Sequence, residues 1–215
     1  MTDARSLTGE LAATFTDVIH EVDTEIGENR TYGEGIGPHD EDDQVDALVN
    51  AVRARELFDG TVATAKSDSG AVSYPGGQSA DLRIERGSTT EYCEAKLLRF
   101  QKANGNPSTR GFSKVFNPFQ DHSPRSFIHD VSKLAESDIR ARKIYLGLYY
   151  RPVDGAGSEI QSSEIAEKFA ADVTHWTDHP ISVDTVAQFS DLQHEVHQRG
   201  AIIVWTLDDQ PRRFF

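Results

Sequence analysis

Residues 79–98, SADLRIERGSTTEYCEAKLL, decide how the chain folds. Leu82 and Ile84 alternate with polar residues, Arg86-Gly87-Ser88 interrupts the run, and residues 90–98 resume it. The pattern predicts two strands joined by a tight turn, the first opening at Asp81. Side chains alternate faces along a strand. Glu94 and Lys96 therefore share a face with Tyr92 and Leu98, while Cys93, Ala95 and Leu97 take the other. A hairpin brings Asp81 beside Glu94 and Lys96. Two carboxylates held close together repel, and a divalent cation relieves that repulsion.

Upstream of the hairpin, Leu7, Leu11, Phe15, Val18, Ile19 and Val22 recur at three or four residues and predict a packing helix over residues 6–26. Gly33, Gly35, Gly37 and Pro38 then predict a flexible loop over 29–40, placed to lie over a groove. A second helix is expected over 41–58, with Asp40 as its N-cap and Val45, Leu48, Val49 and Val52 as its apolar stripe. Glu41 and Glu56 both fall within the arc of that stripe. A short β-branched strand over 61–65 and a turn-rich connection lead into the hairpin.

Downstream, residues 99–125 predict a long loop in which Arg99, Lys102, Arg110, Lys114 and Arg125 interleave with Phe100, Phe112, Phe116 and Phe119. Cations mixed with aromatics suit a surface that tracks a nucleic-acid backbone. Ser123 and Pro124 can start a helix over 123–137. Phe127, Val131 and Leu134 would face the core, and Ser126, Asp130, Lys133 and Ser137 would line a polar face. KIYLGLYYR (143–151) and AIIVWTL (201–207) read as central strands buried on both faces. Helices are expected over 159–174 and 182–199. The fold class that follows is α/β: a central mixed β-sheet flanked by helices, with an N-terminal helical extension. One domain over 1–215 is expected, with the N-terminal helix and glycine loop over 1–40, a core over 41–151, and C-terminal helices and a strand over 152–215.

The net charge of −13 argues against a general affinity for polyanions. Its distribution does not: residues 1–94 carry 20 acids and 7 bases, whereas 95–143 carry 10 bases and 4 acids. The basic block begins directly after Glu94. No apolar run is long enough to span a bilayer and no charged-then-apolar leader opens the chain, so no membrane partner and a cytoplasmic location are expected. The single Cys93 excludes an internal disulfide, and the histidine spacings at His175/His179 and His194/His197 match no zinc motif.

Asp81 followed by Glu94-Ala95-Lys96 resembles the active site of the PD-(D/E)XK nuclease superfamily, which has the restriction-endonuclease-like fold. Ser79-Ala80 stands where a proline often precedes the first acid. The resemblance covers about half the chain, from Glu41 to about Arg151. It implies a metal-dependent endonuclease hydrolysing DNA phosphodiester bonds, in restriction, repair or defence against foreign DNA. Asp81, Glu94 and the backbone carbonyl of Ala95 would bind Mg²⁺, for which Mn²⁺ can substitute, and a helix-borne acid, Glu41 or Glu56, would join them. Asp81, Glu94 and Lys96 would be catalytic. Arg99, Lys102, Arg110, Lys114, Arg125 and Lys133 would meet DNA, with Lys133 either on a phosphate or holding a catalytic carboxylate. A homodimer, or a partner subunit within a defence system, is implied where both strands are cut. The alternative is a nuclease-like module that binds nucleic acid or protein without cleaving. A further alternative is a structural hairpin in which Lys96 pairs with Glu94 or Asp81.

Overall fold

A computed structural model describes residues 5–74, 78–119, 126–155 and 157–208. Helix α1 (Leu7–Glu25) starts at Ser6, whose hydroxyl accepts the Gly9 amide, and buries Leu11, Phe15, Val18, Ile19 and Val22 as their spacing predicts. Helix α2 (Glu41–Ala54) follows. Asp40 occupies its N-cap but makes no side-chain capping bond, and three acids in the first turn face the positive helix end. The helix stops short of the expected residue 58, and Glu56 lies beyond it with φ 53°.

The strands are β1 (Thr61–Thr64), β2 (Ser73–Tyr74), β3 (Gln78–Ser79), β4 (Leu82–Arg86) and β5 (Thr89–Arg99). After α3 (Thr109–Phe116) and α4 (Phe127–Ala135) come β6 (Arg142–Arg151), α5 (Ser162–Trp176), β7 (Ile181–Phe189) and β8 (Arg199–Leu207). Among the described residues β2 and β3 pair only with each other. The other six strands form one mixed sheet in the order β1-β4-β5-β6-β8-β7. Among the described strands only β5 and β6 run parallel, joined by a crossover through α3 and α4. The hairpin registers Leu82 with Cys93 and Arg86 with Thr89.

Helices cover both sheet faces. Below, α1 and α2 pack on Cys93, Ala95, Ile144, Leu146, Leu148 and Tyr150. Above, α3, α4 and α5 pack on Leu98, Tyr145, Tyr149, Ile203 and Trp205. The alternation read along β5 is thus the division between two cores. β6 contributes to both, which is why its sequence is apolar without a break. Gly147 provides clearance in its middle: a Cβ there would stand 3.0 Å from the Trp205 ring and the Leu98 side chain.

Two expectations are corrected. Residues 182–199 are not a helix: β7 occupies their first half as an edge strand, and a loop leads from it into β8. A register shift between Val183 and Thr185 breaks the two-residue alternation, leaving Ile181, Thr185 and Phe189 buried four apart, a helical stride. Residues 99–125 are not all loop either, since β5 runs through Arg99 and α3 begins at Thr109, capped by Ser108. Ser123, Pro124 and Arg125 lie outside the described residues.

The glycine loop is held toward its C-terminal end. Asp23 accepts the amides of Ile36 at 2.8 Å and Gln193 at 2.7 Å, Ile36 is fully buried, and Arg99 donates to the Gly37 carbonyl. Gly35 has φ 79°, and a Cβ there would collide with the Asp23 carboxylate. No helix of the described residues is long and apolar enough to cross a membrane.

Candidate active site

The site forms where β4 stops and β5 continues. Antiparallel pairing ends at Leu82 and Cys93, with one further bond from the Asp81 amide to the Cys93 carbonyl at 3.1 Å. Beyond it no strand of the described residues lies beside the outer edge of β5. Side chains take the place of the missing strand. Asp81 Oδ2 accepts the Ala95 amide at 2.7 Å, and Glu41 Oε2, from the first residue of α2, accepts the Leu97 amide. The amide and carbonyl of a strand residue point to the same edge, so the Ala95 carbonyl also turns toward Asp81. A small cleft here is lined by Glu41, Asp42, Thr64, Lys66, Asp81 and Ala95.

Glu94 and Lys96 project to the α4 side of the sheet, as their alternation with Ala95 requires. α4 meets them with two residues one turn apart, Asp130 and Lys133. Lys133 Nζ lies 2.6 Å from Glu94 Oε1, and Asp130 Oδ2 lies 2.7 Å from Lys96 Nζ. Lys96 also stands 3.7 Å from Glu41 Oε1. Four carboxylates and two ammoniums are thereby gathered around one stretch of strand.

The electrostatics reflect crowding in a poorly solvated place. Burial, reinforced by the charge of Asp81 and opposed by Lys133, pushes the Glu94 carboxyl up to about 8. Burial pushes Glu41 up to about 7, against the Lys96 ammonium and the Leu97 amide. Asp81 is raised too, by burial, while the Ala95 amide and Lys96 pull it down. Burial disfavours the charge on Lys96, but Glu41, Asp130 and Asp81 outweigh it and hold its pKa above the ordinary lysine value.

Of the two helix-borne acids, the structure brings Glu41 to the site. Glu56 is exposed beyond the opposite end of α2, about 20 Å away by helix rise. Lys133 is brought in as a partner of Glu94. Arg99 is half-buried and tied to the Gly37 carbonyl. Lys102, Arg110 and Lys114 are exposed, the last two one turn apart on α3. Cys93 is buried on the opposite face, where burial raises its thiol well above the ordinary value. His194 and His197 stack at 4.6 Å in the β7–β8 loop, away from the carboxylates.

The sequence puts Asp130 on the polar face of α4 but does not pair it with Lys96. Its spacing of three from Lys133 was the available signal, since both then face one strand. Lys66, at the cleft and 2.6 Å from Asp43, had no such signal.

No group of three or more His, Cys, Asp or Glu side chains among the described residues is arranged to hold a metal ion by itself. The chemistry of the smaller donor set does fit a hard cation. Asp81, Glu94 and the Ala95 carbonyl offer oxygen only; Glu94 is buried, Asp81 partly so, and their charges repel. A Mg²⁺ ion keeps several waters and needs only one or two carboxylates from the protein. No family model, curated protein or solved structure matches the chain.

Proposed function

We propose that the chain is a Mg²⁺-dependent nuclease that hydrolyses DNA phosphodiester bonds, acting in the cytoplasm in restriction, repair or defence against foreign DNA. The observation that carries this reading is the 2.7 Å contact from Asp81 Oδ2 to the amide of Ala95, the residue between Glu94 and Lys96. It puts an acid just before one strand level with a Glu-x-Lys element on the next, as the resemblance to PD-(D/E)XK nucleases requires.

In this reading Asp81, Glu94 and the Ala95 carbonyl hold the cation, with Glu41 beside them. When bound, the cation supplies a water of lowered pKa and a positive charge near the scissile phosphate. Lys96 remains protonated at neutral pH, because its surrounding carboxylates hold its pKa up. It therefore acts as a cation, orienting the attacking water and neutralising charge on the phosphorane-like transition state. Asp130 keeps that ammonium in place. The attacking water gives up one proton to solvent as its oxygen bonds to phosphorus, the bond from phosphorus to the leaving oxygen breaks, and the leaving oxygen takes up one proton from solvent. Arg110 and Lys114 on α3, with Lys102 before it, supply an exposed cationic surface for the DNA backbone.

A module that binds without cleaving is the second reading. It is favoured by the tight engagement of Lys96 with Asp130 and Glu41. Incubation of plasmid and linear DNA with Mg²⁺, Mn²⁺ or EDTA separates the two. Metal-dependent cutting by the wild type, lost in Lys96→Ala and Asp81→Ala, is expected of the nuclease. No cutting under any condition, with no metal-dependent rise in Tm, leaves the binding module.

A further inference from the structure

The ion pair of Lys133 and Glu94 joins two unequal partners. The Glu94 side chain is 5% exposed, and among the described residues its Oε1 has no polar partner other than the Lys133 ammonium at 2.6 Å. The Lys133 side chain is 37% exposed. Its four-carbon stem lets the ammonium move to solvent without any change in α4. The other lysine of the site is built differently. Lys96 is 15% exposed and fixed between Asp130 and Glu41. One ammonium is thus part of the framework, and the other can leave.

A buried carboxylate without a counter-charge is costly, and when Glu94 is ionised Lys133 provides that charge in the metal-free protein. A divalent cation on Glu94 brings its own. The ammonium and the cation would then compete for one oxygen and repel each other at contact distance. The geometry points to Lys133 as an internal counter-ion of Glu94 that is displaced when a divalent cation binds. This inference rests on the metal reading given above. Once released, Lys133 is still within its stem's length of the site, where a substrate phosphate is the natural partner for a mobile ammonium.

The test follows the lysine itself. The full chain is reductively methylated in EDTA and in Mn²⁺, labelling is read per lysine by peptide mass spectrometry, and Mn²⁺ binding is followed separately by loss of the free-ion spin-resonance signal. Lys133 is expected to label slowly in EDTA and at least about fivefold faster with Mn²⁺, while exposed Lys102 labels equally in both. Mn²⁺ binding with unchanged Lys133 labelling overturns this inference and leaves the metal reading intact. Failure of the wild type to bind Mn²⁺ overturns both. A second arm follows Mn²⁺ binding to Lys133→Met as a function of pH and compares the pH-independent limits of variant and wild type, because loss of the ammonium also raises the Glu94 carboxyl and with it proton competition. Removal of the competing ammonium is expected to tighten Mn²⁺ binding about fivefold or more, and unchanged or weaker binding overturns the inference.

Discussion

The Lys96 ammonium stands 2.7 Å from the Asp130 carboxylate, so a helix that follows β5 in the chain fixes the lysine that β5 carries. Asp130→Asn keeps the shape and removes the charge. We expect kcat for DNA cleavage to fall about ten- to hundredfold, the scale of a misplaced catalytic group, with KM little changed. Lys96 also loses one of the charges that raise its pKa, so the alkaline limb of the pH–rate profile should move to lower pH. An unaltered profile and kcat would remove Asp130 from the positioning role.

The raised carboxyls make a prediction about stability. Glu94 titrates at about 8 and Glu41 at about 7 in the folded chain, well above their unfolded values. Across that interval the folded state binds more protons than the unfolded state, so stability falls as pH rises. His197, lowered to about 3 by burial with Arg99 adding to the effect, works in the opposite sense, but only below its unfolded value. Between pH 7 and 8.5 the carboxyls act alone among these groups. In EDTA, Tm should decline across that window, and Glu94→Gln should flatten the slope. Added Mg²⁺ should reduce the decline by favouring the ionised carboxylates.

Glu91 makes a structural prediction. It is fully buried on β5 and accepts the amides of Leu7 at 3.1 Å and Thr8 at 2.8 Å, and the Thr8 hydroxyl at 2.7 Å. These are orphan donors of the first turn of α1, and the carboxylate also suits the helix dipole. Glu91→Ala should cost about 2–4 kcal/mol, from unsatisfied buried donors, with the contacts of Asp81, Glu94 and Lys96 intact. Urea unfolding measures the loss, and a change under ~1 kcal/mol would mean that water replaces the carboxylate.

Gly200 tests the packing of β6 on β8. A Cβ there would overlap the Tyr149 carbonyl oxygen and stand 2.9 Å from the Phe189 ring. Gly200→Ala should destabilise by roughly 1–3 kcal/mol or more, because the obstacle is backbone in the sheet interior. A Tm equal to the wild type would require the two strands to part without cost.

The hairpin, both buried strands and the two-faced character of β5 were legible because each is written in local alternation. So was the grouping of Asp81, Glu94 and Lys96, which a hairpin enforces. β7 was not legible: its register shift places Ile181, Thr185 and Phe189 four apart on the buried side, and periodicity alone reads that as a helix. The choice between Glu41 and Glu56 was not legible either, since a helix over 41–58 would put both on one arc, whereas α2 ends at Ala54 and tertiary packing brings its first turn to β5. Arg99 reads as a surface cation in a basic stretch. Its burial against the Gly37 carbonyl depends on a loop far away in sequence.

β5 outruns β4, and the exposed margin of a sheet is a ready template for any extended chain that drifts past. Here the Ala95 and Leu97 amides are already taken by Asp81 and Glu41. An approaching strand would find no free donors at these positions, and negative charge in its path. The carboxylates that we assign to chemistry therefore also guard the protein against self-association. Alanine at both would open two ladder positions side by side, and the first symptom of the lost site would be turbidity.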